Sequence, residues 1–416
     1  MAHIWQGLRS GVWLTLPRAR AYSLILLAVY AIAIVGWIAV SDGLIDRNGK
    51  PLGTDFSSFH AAGSLALEGR ASEAYDMAAH HAREQKLFGA STPYFAWLYP
   101  PLFLLVATPL ALLPYPVALA AWQTMTLALY LAVIAAILRR TRQQSAVVAD
   151  SWLPVAAAFP AVFINLGHGQ NGFLTAALLG GAMLALPRRP VTAGVLIGLL
   201  AYKPQFGAVV PFALLAAGQW RTMLAAAITV VALVAASLVL FGPECWSSFL
   251  GSTETSRKLL LEEGSVGFEK LQSVFAAVRM WGGGLALSYA MQGAVSLATI
   301  CATAWLWYSG HDDRLKAAAL IAATALASPH ILDYDLMILA PAIAFFVTAR
   351  SGRFCDYDVS VLAAVWTAPL LARMGAGATG VPIGLVAVSA LFVLIMRAAL
   401  RERAASRVTT LQIAQA

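Results

Sequence analysis

The chain has 416 residues, 60% of them hydrophobic and 12% charged, with a mean hydropathy of +0.74 and a net charge of +8. Soluble domains carry roughly a quarter charged residues, so this composition excludes a soluble globular protein and predicts an all-α polytopic membrane protein. The positive charge then reads as a topology signal, not a nucleic-acid footprint, and the scattered Cys245, Cys301 and Cys355 give neither a disulfide framework nor a metal-ligand spacing.

Arg9, Arg18 and Arg20 place residues 1–20 in the cytoplasm. The first span, 21–40, then runs outward as an uncleaved anchor. Residues 41–116 form an external loop with seven acids and five Lys or Arg, all before Phe88. Short helices are expected in it at 56–67 and 72–88. The segment 99–113 is apolar, but its roughly 15 residues are interrupted by Pro100, Pro101 and Pro109, and a span needs about 20. It is expected to lie at the interface or to be re-entrant.

Residues 117–241 read as a transmembrane core. Spans are expected at 117–138, 152–166, 173–186 and 223–241, with two short arms, 191–202 and 205–217, turning at Lys203-Pro204. The Arg139, Arg140 and Arg142 cluster marks the inner end of the first of these. A second external loop covers 242–284. The C-terminal helices, 285–399, contain spans at 285–308, 317–327, 336–348, 359–371 and 381–396, and 400–416 is a basic cytoplasmic tail. Twelve spans with both termini cytoplasmic leave 17 Lys or Arg inside and 11 outside. No internal repeat is visible.

Basic residues set this topology. The polar residues of the short turns, apart from Lys203, did not enter it, yet Asp55, His168, Gln170, Asn171, Lys203, His330, Asp333 and Asp335 all fall on the outer side. Ionisable groups between apolar spans are costly and commonly functional. A carboxylate can take a proton from an attacking hydroxyl, and a lysine binds phosphate as a point charge. Each residue also has a structural reading. Asp55 could cap the helix that follows it, Asp333 and Asp335 could offset a helix dipole, and Lys203 could snorkel. Tyr94, Phe95, Trp97 and Tyr99 read as an interfacial belt.

The order of motifs resembles the membrane glycosyltransferases of family 87, in the C-type (GT-C) superfamily, which include polyprenol-phosphate-mannose-dependent mannosyltransferases. The matching pieces are Asp55-Phe-Ser-Ser-Phe-His60-Ala-Ala-Gly63, Gly69 with Tyr75-Asp76, Tyr99-Pro-Pro101, Gly169-Gln170-Asn171, Ala193-Gly-Val-Leu-Ile-Gly198 with Lys203-Pro204, and Ser328-Pro-His330 with Asp333-Tyr-Asp335. The resemblance implies a GT-C fold whose first external loop packs short helices along the membrane. It implies a polyprenyl-phosphate sugar as donor, a lipid or glycan hydroxyl as acceptor, inversion at the sugar carbon, and no metal or other cofactor. Asp55 is then the base, and His330 and Lys203 lie near the donor phosphate. His60, Tyr99, His168, Gln170, Asn171, Asp333 and Asp335 are further cavity candidates. The site would open to the periplasm or exterior of the inner membrane. The competing readings are a lipid-linked glycan transporter or flippase, a non-catalytic scaffold in which Asp55 is a cap, and a ligase-like transferase with a diphosphate donor held by Arg257 and Lys258.

Overall fold

A computed structural model describes residues 2–140, 152–350 and 353–415, with backbone alone at residue 2 and from 404 onwards. Arg142 therefore lies outside the described residues. Among the described residues the regular structure is helical, apart from isolated bridges such as Leu271 to Leu332. Six helices are long and apolar enough to cross a membrane: Leu16–Ala39, Tyr115–Arg139, Trp220–Glu262, Leu285–Tyr308, Asp358–Thr379 and Ile383–Arg403. Their surfaces carry exposed large apolar side chains, including Val239, Met374, Leu224 and Val231. Lipid is the solvent that such faces suit. The chain is a multi-pass membrane protein.

Twelve spanning helices are not found among the described residues. The expected spans at 152–166, 173–186, 191–202, 205–217, 317–327 and 336–348 form shorter helices. Proline is one cause. Phe159-Pro160 divides Leu153–Ala157 from Pro160–His168, and Pro190 and Pro204 each open a new helical piece, where their missing N–H is harmless. The ten residues of Pro190–Leu199 rise only about 15 Å. Such pieces are tolerated at membrane depth when protein covers them. Asp313–Ala327 shows that covering most fully: every residue from Ala317 to Ala327 is buried, and its alanines admit neighbours on all sides.

The two arms around Lys203 turn back on each other. Gly194 abuts Thr222 and Ala225, and Gly198 abuts Ala226 and Thr229, so Pro190–Leu199 and the start of Trp220–Ser256 run in the same direction. The intervening Val210–Ala216 must return. Glycines four residues apart allow this close approach of two helix backbones.

Both external loops differ in detail from the sequence reading. The expected helix at 72–88 is split into a 3-10 turn, Ala71–Tyr75, and the helix Met77–Phe88. Asp76 caps the second piece by accepting from the Ala79 amide. In the second loop the chain kinks at Gly242 (φ 80°) and Pro243, then stays helical to Ser256 and continues as a π-helical turn to Glu262. The segment 242–284 thus begins as a helix that runs on to Glu262. The 99–113 segment contains only the 3-10 turn Pro101–Phe103 and the helix Leu104–Leu110, which rises about 10 Å.

Candidate active site

The helix Phe56–Leu67 is the floor on which the site is built. Phe56 and Phe59 are buried, and Phe59 meets Trp97, Tyr99, Phe103 and Trp122 edge to face. Gly63 allows the helix to lie directly against Leu104–Leu110: a Cβ there would sit 2.2 Å from the Ala107 carbonyl oxygen. His60 ties the same helix down through Nε2 and the Leu113 carbonyl oxygen at 3.1 Å, with its ring edge-on to Tyr115. Its burial pushes its pKa below that of an ordinary histidine. His60 is structural and does not line the cavity.

Asp55 stands one residue before this helix but does not cap it: its side chain makes no hydrogen bond to the first-turn amides. Instead Oδ2 accepts from Gln170 Nε2 at 2.9 Å. The Gln170 orientation is fixed, because its Oε1 accepts from the Tyr99 hydroxyl at 3.2 Å and from the Asn171 amide at 3.1 Å. Asp55 Oδ1 lies 4.0 Å from His168 Nδ1, and that nitrogen shares a 2.7 Å hydrogen bond with the Thr54 hydroxyl. Left-handed Gly169 closes the turn between the two contacts, against the Phe56 side chain. The carboxylate keeps 30% of its surface exposed.

That exposed surface faces a cavity of about 850 Å³. Its walls come from four parts of the chain. Tyr75, Tyr94, Phe95, Trp97 and Tyr99 form an aromatic side, which corrects the expected interfacial belt. Ser248, Ser252, Thr255 and Ser256 present hydroxyls from the helix beyond the Gly242 kink. His330, Leu332 and Tyr334 supply a third wall, and Lys270 sits beside them. The structure therefore brings Asp55, Tyr99, Gln170 and His330 together on one cavity. Burial lowers the His330 pKa, with Lys203 adding to the effect and Asp335 opposing it, which favours a neutral ring at pH 7.

Other candidates sit behind the wall. Lys203 is 3% exposed and its ammonium pairs with Asp335 Oδ1 at 2.5 Å, beneath the ring of Tyr334. The phosphate contact expected of Lys203 is not offered by this geometry, because the charge is already matched. Asp335 Oδ2 also accepts from the Leu332 amide, and Asp333 accepts from the Tyr334 amide. Burial pushes the Asp333 carboxyl up, with His168 opposing. Asn171 is buried with neither side-chain polar atom hydrogen-bonded. Among the described residues no three His, Cys, Asp or Glu side chains cluster as metal ligands. Arg257 and Lys258 pair with Glu262 and Glu254, and neither lines the cavity.

Two features escaped the sequence reading. Glu84, fully buried, accepts from the Phe95 amide at 3.0 Å and from the Ser57 hydroxyl at 3.2 Å. It thereby joins the aromatic wall to the first turn after Asp55. Burial raises its pKa to about 8, with the Asp55 charge contributing, while burial lowers neighbouring His80 to about 4. The two therefore face each other at 3.9 Å as neutral groups at pH 7, not as an ion pair. The second missed feature is the hydroxyl-bearing helix, since Gly242-Pro243 reads as the end of a span.

In comparison with known proteins, the sequence model of glycosyltransferase family 87 matches residues 97–329. The match begins after Asp55 and ends one residue before His330. No curated protein and no solved structure matches the chain.

Proposed function

Because the chain belongs to glycosyltransferase family 87, and is thus a membrane glycosyltransferase, we propose that it moves a hexose such as mannose from a polyprenyl-phosphate sugar to a hydroxyl of a lipid or glycan acceptor. The reaction takes place at the outer face of the inner membrane, with inversion. The observation that carries this reading is the Asp55 carboxylate, which is turned away from its own helix and into a cavity with His330 on its wall.

Asp55 is the general base. The acceptor hydroxyl attacks the anomeric carbon while its proton passes to Asp55, and the bond from that carbon to the phosphate oxygen breaks on the opposite side. The phosphate keeps the electron pair. A single in-line displacement of this kind inverts the anomeric centre. Neutral His330 can donate a ring N–H to a phosphate oxygen without adding charge. The aromatic wall and the serine and threonine hydroxyls suit the apolar faces and hydroxyls of a glycan.

The donor class is tested with purified protein in nanodiscs, offered the same radiolabelled hexose on polyprenyl monophosphate, on polyprenyl diphosphate and on a nucleotide. Label should reach the acceptor only from the monophosphate. Transfer from the diphosphate alone would establish the ligase-like reading instead. Movement of the lipid across the bilayer with no transfer would establish a transporter.

A further inference from the structure

With Lys203 matched to Asp335, one Lys or Arg remains among the described residues that line the cavity: Lys270. It was not among the residues marked by sequence. Its position is set by the pairing of two segments. Leu271 bridges Leu332, and the Gln272 amide donates to the Ile331 carbonyl at 2.8 Å, so Lys270 is carried alongside His330 to Asp333.

The side chain is half-buried, yet its ammonium makes no hydrogen bond or ion pair with a described residue. Burial depresses its pKa first, and the like charges of Arg373 and Lys50 add to this. Asp55 and Asp333 pull the other way from beyond ion-pair distance. An ammonium partly stripped of water and left without a partner is unfavourable, and an incoming anion relieves the cost. Two like charges nearby make a second cation unwelcome and an anion welcome.

We propose that Lys270 is the cation that binds the phosphate of the lipid-linked donor, on the wall it shares with His330. The proposal rests on the monophosphate donor of the preceding section. When the sugar leaves, the phosphodiester becomes a monoester and goes from one negative charge to two, with the bonding electron pair retained on its oxygen. A cation at that oxygen is favoured more in the departing state than in the bound donor. Lys270 thus acts on both binding and rate.

The test uses the full chain in nanodiscs with two probes, a polyprenyl monophosphate and the matching polyprenol. The wild type should bind the monophosphate more tightly than the alcohol. Lys270→Gln should weaken the monophosphate at least about tenfold and leave the alcohol unchanged, and Lys270→Arg should retain most of the preference. If the wild type prefers the monophosphate and Lys270→Gln keeps that preference, Lys270 is not the phosphate ligand although the donor reading stands. If the wild type does not separate the two probes, the donor reading itself falls, and this proposal falls with it. Should Lys270→Gln fail to fold, acylation of Lys270 in the wild type decides the question by mass spectrometry. The monophosphate should protect it and the alcohol should not, and equal acylation with both overturns the proposal.

Discussion

Gln170 is held by Tyr99 and Asn171 so that only its NH₂ group can face Asp55. That hydrogen bond fixes the orientation in which the carboxylate meets the cavity. Gln170→Glu replaces the donor by a like charge at the same place. The repulsion should turn the carboxylate out of place, and transfer at pH 7 should fall at least about tenfold with donor binding retained. Unchanged transfer would mean that Gln170 does not position Asp55. Glu84 makes a second test at this scale. Its folded pKa of about 8 lies above the ordinary 4.5, so below 4.5 it is protonated in both states and costs nothing. Between 4.5 and 8 the folded protein holds a proton that the unfolded chain has released, and this group's contribution to stability falls as pH rises, by at most about 1.4 kcal/mol per unit. His80, lowered to about 4 from 6.5, contributes the opposite slope below pH 6.5, so the Glu84 fall is read between pH 6.5 and 8, where Glu84→Gln should keep the bonds to Phe95 and Ser57 and flatten it in thermal unfolding.

Short helices held by close contacts position these residues, and glycines are where such contacts are most sensitive. Gly63 lies against the Ala107 carbonyl. Gly63→Leu must push Phe56–Leu67 away from Leu104–Leu110, at a cost of about 1–3 kcal/mol or more. Asp55 leads directly into the displaced helix, so transfer should fall more than the loss of folded protein accounts for. Equal losses in both would show that the helix does not position the carboxylate. The sequence marked this helix well, because Phe56, Phe59 and Gly63 sit at helical spacing after a turn. It marked the helix beyond Gly242 poorly. Proline after glycine reads as a stop, and the acids that follow read as a loop. The structure uses the same pair differently: left-handed glycine makes the bend, and proline opens the next helical segment. Lys203 shows another limit. Its partner Asp335 is 132 residues away, so sequence spacing carried the charge but not its neutralisation. For Lys270, nothing in Gly267-Phe-Glu-Lys-Leu-Gln272 distinguishes a cavity cation from a surface one.

At the scale of the molecule, charge placement and the six long helices describe one multi-pass bundle with a cavity formed around its short helices. Pro114 and Arg188 are both exposed and are expected on opposite faces of the membrane. With Cys301 and Cys355 replaced by serine, an impermeant thiol reagent applied to intact cells should label Pro114→Cys and spare Arg188→Cys. The reverse pattern would invert the proposed orientation and put the cavity in the cytoplasm. The chemistry assigned to that cavity depends on Asp55 more than on any other residue. Asp55→Asn preserves the side-chain size and, since the carboxylate makes no cap, removes none. The most direct measurement is single-turnover transfer from a polyprenyl-phosphate hexose by purified wild type and Asp55→Asn, with donor binding measured on the same samples. The variant should fold and bind the donor as the wild type does, and transfer at least about 100-fold more slowly. Near-normal transfer by Asp55→Asn would contradict the assignment of Asp55 as the base.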